Sequence, residues 1–176
     1  MSVQTARNLA DQIIRENSII EPAVDVRTLA EKHGLRVVFQ DLDAGISGLL
    51  VTNSGQSYCF VNNGDALVRQ RFTIGHELGH FLLKHQEQLG EHVHVDRGNF
   101  ISMRSPRSAQ GIDLYEIEAN QFSAHLLMPE VLVKNTVEKF SFDGAIIPDD
   151  KVVLLAETFQ VSEQAMTIRL ANLGYL

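Results

Sequence analysis

At 176 residues the chain has the length of one domain with a substantial core. Fifteen basic residues against 22 acidic ones leave a formal charge of −7, which weighs against a surface dedicated to nucleic acid, while 44% hydrophobic and 21% charged residues are ordinary for a soluble globular protein. The lone Cys59 excludes an internal disulfide and a Cys-rich zinc knuckle, and no run reads as a signal peptide or a membrane span, so a reducing cytoplasm is the expected location.

Taken in chain order, Thr5 to Glu16 carries Leu9, Ile13 and Ile14 along one side and predicts a helix; Val26 to His33 predicts a second, stopped by Gly34. Three β-rich runs follow, Leu35 to Phe39, Ile46 to Val51 and Tyr58 to Val61, and Asn53-Ser54-Gly55 between the last two predicts a hairpin. Asn62-Asn63-Gly64-Asp65 turns the chain into a long helix, Ala66 to Lys84, with Asp65 the expected N-cap. Glu87 to Gln110 mixes Gly90, Gly98, Pro106 and several serines without periodicity. It reads as a long loop with one short strand around His92 to Val95, placed to cover a neighbouring site.

Helical character resumes at about Asp113, with Ala119, Phe122, Leu126 and Leu127 on one side, and ends at Pro129. Val131 to Phe140 and Asp150 to Phe159 predict two further helices, and a last one runs from Ser162, a natural N-cap, through Met166 and Leu170 to Gly174. The expected fold class is α+β. A small mixed or antiparallel sheet packs on the long helix in a core over residues 1–129, and a helical extension over residues 130–176 packs on that core.

The long helix carries the chemistry, because His76, Glu77, Leu78, Gly79 and His80 spell His-Glu-x-x-His. Residues four apart share a helix face, so His76 and His80 can hold one metal ion between their imidazoles, with Glu77 beside it as general base toward an attacking water. Phe72, Gly75, Leu78 and Leu82 recur as a separate apolar stripe, which leaves Thr73, His76, Glu77 and His80 to face a cleft. Gly79 costs about 1 kcal/mol of helix propensity relative to Ala and asks for a reason, such as close approach of another backbone.

A catalytic zinc takes three protein ligands and keeps one position for water. Tyr115-Glu116-Ile117-Glu118-Ala119-Asn120 offers two carboxylates for the third place. Glu116 is favoured because Asn120 lies one turn later on its face and can brace a histidine ligand; Glu118 is the alternative. A donor for the developing oxyanion is unassigned, with Tyr115, Arg104, His94 and His92 as candidates, while His33 and His85 have no ligand spacing and read as bystanders.

Three segments together resemble the ImmA/IrrE-type zinc metallopeptidases: Arg71-Phe72-Thr73-Ile74-Gly75-His76-Glu77-Leu78-Gly79-His80, Glu116-x-Glu118-Ala119-Asn120-x-Phe122-Ser123-Ala124, and Leu126-Leu127-Met128-Pro129. The resemblance implies a zinc-dependent endopeptidase with a thermolysin-like active-site helix, in which His76, His80 and Glu116 are metal ligands and Glu77 is the general base. It also implies a protein substrate, typically a helix-turn-helix transcriptional repressor. The donor set itself also suits manganese or iron. Ser123 and His125 depart from the family's usual Phe-Ala-Ala-Glu-Leu-Leu-Met-Pro; Ser123 is a small replacement, and His125 reads as a surface side chain or a site accessory.

Two readings compete with hydrolysis. Leu155 to Met166 has the look of a helix-turn-helix with Arg169 on its surface, which would make a DNA-binding regulator. From Leu155 to Leu176, however, Arg169 is the only basic residue, too little for phosphate contacts, so a helical pair on the core or a docking surface fits better. A non-catalytic zinc sensor would keep the ligands but has no need of Glu77.

Overall fold

The computed structural model describes residues 2–90, 93–96, 109–140 and 147–176. Helix α1 (Val3–Glu16) is capped by Ser2, whose Oγ accepts from Thr5 N, and α2 (Val26–Lys32) by Asp25, whose carboxylate accepts from Thr28 N. Asp25 also accepts from Thr28 Oγ1, and this bond together with that from Thr28 N lowers its pKa. Strands β1 (Leu35–Gln40), β2 (Gly48–Asn53), β3 (Gln56–Asn62) and β4 (Val93–Asp96) form one mixed sheet in the order β1-β3-β2-β4. The β1–β3 pair is parallel, and β2 runs antiparallel to both β3 and β4. The expected hairpin joins β2 to β3 through Ser54 (φ 49°) and Gly55 (φ 79°), two consecutive positive-φ residues that match the strands' right-handed twist.

One face of this sheet, built from Leu35, Val37, Leu50, Cys59 and Val61, is buried. Helix α3 (Leu67–Leu82) packs on β2 and β3, and α5 (Ala109–Leu127) lies along the helix's other side, with α1 beyond α5. Every residue of α3 from Thr73 to His80 is therefore buried. A helix enclosed on all sides is normally apolar all round. Thr73, His76, Glu77 and His80 break that rule, and their desolvation must be offset by what they bind.

Small residues allow α3 and α5 to touch. A Cβ on Gly79 would lie 3.2 Å from Ala119 Cα and 3.0 Å from Phe122 Cδ1, and one on Gly75 would lie 2.5 Å from Ser123 Oγ. This is the close backbone approach that Gly79 called for. Ser123 adds a hydrogen bond from its hydroxyl to Phe72 O, 3.0 Å, across the same seam.

Two local expectations are corrected. Asp65 is not the N-cap of α3; Ala66 is, with no side-chain cap, and the preceding turn is instead gathered by Gln70, whose Nε2 donates to the carbonyls of Asn62, Asn63 and Asp65. The chain after His85 does not begin as a loop. Lys84 adopts a left-handed conformation (φ 59°) that ends α3, and a short helix α4 (His85–Leu89) follows until Gly90. The short strand expected around His92 to Val95 is found as β4, and the rest of that expected loop, 97–108, lies outside the described residues.

Pro129 then starts α6 (Glu130–Lys139), and α7 (Asp149–Phe159) and α8 (Glu163–Asn172) close the chain, with Ser162 capping α8 as expected. Leu155, Phe159, Met166 and Leu170 are buried between them and the core. Arg71 on α3 donates to Val24 O and Gln160 O, which ties the α7–α8 turn to the central helix. Among the described residues, no helix is long and apolar enough to cross a membrane.

Candidate metal centre

Four side chains meet at one point beside α3. His76 and His80 come from α3, Glu116 from α5 and His94 from β4, and one ligand atom from each lies within 4.8 Å of all the others. His76 Nε2 and His80 Nε2 are 3.0 Å apart; Glu116 Oε2 is 3.3 Å from His76 Nε2, and its Oε1 is 3.2 Å from His80 Nε2 and 3.3 Å from His94 Nε2. The histidines of α3 are almost fully buried, while Glu116 keeps 34% of its side chain exposed, so the cluster opens to solvent on the Glu116 side.

The far nitrogens determine which way the near ones point. His76 Nδ1–H donates to Asn120 Oδ1, 2.9 Å, one helical turn after Glu116. His80 Nδ1 lies 3.0 Å from His85 Nδ1, and His85 Nε2 lies 3.0 Å from Glu118 Oε2. His76 Nε2 and His80 Nε2 face each other across 3.0 Å and both face the Glu116 carboxylate, so the space among them suits a proton or a metal ion.

A tetrahedral ion bound at about 2.0–2.1 Å has ligand-to-ligand edges of about 3.3 Å, which is the scale of these separations. Two or three imidazoles with a carboxylate are also a donor set that divalent zinc favours. The residues present thus fit a divalent metal. Without one, a proton stands in: burial opposes charge on His76, but Glu116, Glu77 and Asp96 together outweigh it and raise its pKa to about 9. His80 moves the other way, well below the usual histidine range, because burial and the neighbouring His76 and His94 outweigh Glu116. Burial would raise Glu116, yet its bonds with His76 and His80 hold it well below the usual carboxylate range.

Glu77 is different from its neighbours. It is 0% exposed, and among the described residues neither carboxyl oxygen has a hydrogen-bond partner. Burial pushes its pKa up to about 8, although His76 pulls it down. The start of β2 presses against it, since a Cβ on Gly48 would collide with Thr73 Cγ2 and lie 3.5 Å from Glu77 Oε1. A carboxyl held near neutrality beside a cluster of metal donors is equipped to take and return a proton.

Of the sequence candidates, His76, His80 and Glu116 lie together, and Glu118 lies away from the cluster, on His85. His94 joins the donors, where the sequence offered it only for an oxyanion. Tyr115 does not reach over the site; its ring stacks on His85 at 4.5 Å and its hydroxyl donates to Gln88 Oε1. His92 and Arg104 lie outside the described residues. His85 is no bystander. It follows the left-handed Lys84, so helical spacing could not connect it with His80, and His94 sits on a strand with no motif to mark it.

His125 is neither a surface side chain nor a site accessory. It is buried nine residues further along α5, where its Nε2 accepts from Arg169, while Arg169 Nε donates to Met128 O, each at 3.0 Å. Burial and the nearby Arg169 and Arg7 push its pKa down to about 4. Arg169 is itself only 5% exposed, so the tail's one basic side chain faces the core and not a groove of DNA.

The chain is 28% identical over 138 residues to "Uncharacterized immunity region protein 2" of Bacillus phage phi105, covering 77% of this chain and 78% of that one. Its fold is similar to that of a solved Mycobacterium tuberculosis transcriptional regulator, with a TM-score of 0.65 at 17% identity over 97% of this chain, which spans only 47% of that longer protein. The family model Peptidase_M78, described as the IrrE N-terminal-like domain, matches residues 30–171. The chain belongs to the IrrE N-terminal-like (Peptidase_M78) family.

Proposed function

We propose that the protein is a zinc-dependent endopeptidase in which His76, His80 and Glu116 hold the ion and Glu77 is the general base. The observation that carries this reading is the pair of Nε2 atoms facing each other at 3.0 Å beside a buried carboxyl that has no hydrogen-bond partner among the described residues. A bound zinc ion supplies Lewis-acid polarisation of the scissile carbonyl and makes water acidic enough to be activated near neutral pH. Glu77 takes the proton of the attacking water on one carboxyl oxygen and returns it to the leaving amide nitrogen. Asn120 holds the His76 ring in register while this happens. His94, whose Nε2 lies 3.3 Å from Glu116 Oε1, would serve either as a further donor to the ion or as a hydrogen-bond donor to the substrate oxyanion. Manganese or iron would suit the same donors.

The substrate we propose is a helix-turn-helix transcriptional repressor, met in a reducing cytoplasm. The phage relative's immunity-region title and the structural neighbour's title of transcriptional regulator support that choice. A DNA-binding role for the tail is disfavoured by the burial of Arg169, and a zinc sensor would have no use for a desolvated Glu77.

Purified protein mixed with the repressor encoded beside its gene is expected to cleave it, and a chelator to stop the cleavage. Glu77→Gln should keep stoichiometric zinc and lose about 10²–10⁴-fold in cleavage rate. Undiminished cleavage by that variant would overturn Glu77 as the general base, and absence of cleavage by the zinc-loaded wild-type chain would overturn the hydrolytic reading.

A further inference from the structure

We propose that His85 and Glu118 are positioning residues, a buried relay that keeps the His80 proton on Nδ1 and thereby leaves His80 Nε2 open to an ion. The inference rests on reading His80 as a metal ligand.

The relay has two links, each 3.0 Å long: Glu118 Oε2 to His85 Nε2, and His85 Nδ1 to His80 Nδ1. A carboxylate oxygen only accepts, so the first link places the His85 proton on Nε2. His85 Nδ1 is then a lone pair, and it accepts from His80 Nδ1–H. The remaining His80 nitrogen, Nε2, is left unprotonated and aimed at His76 Nε2 and Glu116. Reversing either link would protonate His80 Nε2 and block the metal position.

Water cannot take over the acceptor's role. His85 is 0% exposed, Glu118 is buried, and the Tyr115 ring stacks over His85. Each α3 histidine thus has its own anchor on α5, Asn120 for His76 and Glu118 acting through His85 for His80. The second anchor ends in a carboxylate, which makes its imidazole partner a stronger acceptor and His80 a stronger donor to metal. Glu118 therefore has a part distinct from that of Glu116, although the two stand two residues apart.

The test uses the full chain and zinc, with affinity read by competition against a chelating dye and the His80 tautomer read by nitrogen-15 ring correlations in the metal-free protein. His85→Phe keeps a ring but no acceptor; it should lose about 10- to 100-fold in zinc affinity and shift His80 towards the Nε2–H form. His85→Gln offers a carbonyl to His80 Nδ1–H and should recover most of both. Should His85→Phe not fold, as judged by its circular dichroism melt, Glu118→Leu against Glu118→Gln poses the same contrast one link further out. Wild-type affinity together with an unchanged His80 tautomer in the acceptor-less variants would overturn the relay. A wild-type chain that bound no zinc would instead overturn the metal centre, and the tautomer measurement would still decide the relay.

Discussion

Helix α5 turns polar groups inward at two places, near its middle and near its C-terminal end, and the two places treat them oppositely. At Glu116 and Asn120 it faces His76 and His80, where donor atoms converge on one another and Glu77 has no hydrogen-bond partner among the described residues. About 13 Å along the helix, at His125, the Arg169 guanidinium spreads its bonds outward, to a carbonyl and to an imidazole. The second arrangement fastens α8 to the core through bonds made within the protein, although Arg169 Nη2 and His125 Nδ1 are buried without a hydrogen-bond partner among the described residues. In the first, donor atoms converge on a position that a cation would fill, which is the physical difference between a structural polar contact and a site.

The largest effect that separates the two places should come from removing a donor. His80→Ala is expected to abolish stoichiometric zinc binding in equilibrium dialysis and leave the fold in place, because the lost group serves the ion. Retained zinc at full affinity would mean that the convergence has no ligand role.

Next in size is pH. In the metal-free protein His76 has a folded pKa of about 9, above its ordinary 6.5. Its contribution to stability is therefore fully present below pH 6.5 and is lost as pH rises through about 9. Zinc must displace that proton, so apparent affinity should climb by about tenfold per pH unit until it levels off near that pKa. A flat affinity profile between pH 6.5 and 8.5 would contradict a protonated His76 in the empty site. The His125 end carries the opposite sign. Its folded pKa of about 4 gives stability that is present above pH 6.5 and lost as pH falls through 4.

Arg169→Met should cost about 2–3 kcal/mol in denaturant unfolding, since it strands Met128 O and His125 in the interior, while zinc affinity stays as it was. An unchanged unfolding midpoint would remove the argument that this end is structural. Smallest is Gly79→Ala. A free helix position would gain about 1 kcal/mol, but contact with Ala119 and Phe122 should turn that into a net loss of about 1–2 kcal/mol, visible in the same unfolding curves.

Local patterns in the sequence were enough for most elements, because hairpin and cap chemistry are encoded in adjacent residues such as Ser54-Gly55 and Ser162. His76, Glu77 and His80 were legible for the same reason: a helix period places them together without help from the rest of the fold. Glu116 could be preferred to Glu118 only through Asn120, and the distances now put Glu118 on His85. What escaped was long-range. His94 arrives by antiparallel pairing of β4 with β2, and His85 by a left-handed turn at Lys84 that lacks the usual glycine signal. Burial of Arg169 and His125 was equally out of reach, since it depends on where α8 docks.

The seam between α3 and α5 has one more implication. Because Gly75 and Gly79 bring main chain against Ala119 and Ser123, the separation of the two helices is a backbone dimension and does not depend on how bulky side chains happen to settle. The jaw that would grip an ion is thus held at a fixed gauge before any ion arrives. Cations much larger than zinc should be rejected by the stiffness of the frame as much as by the identity of its ligands.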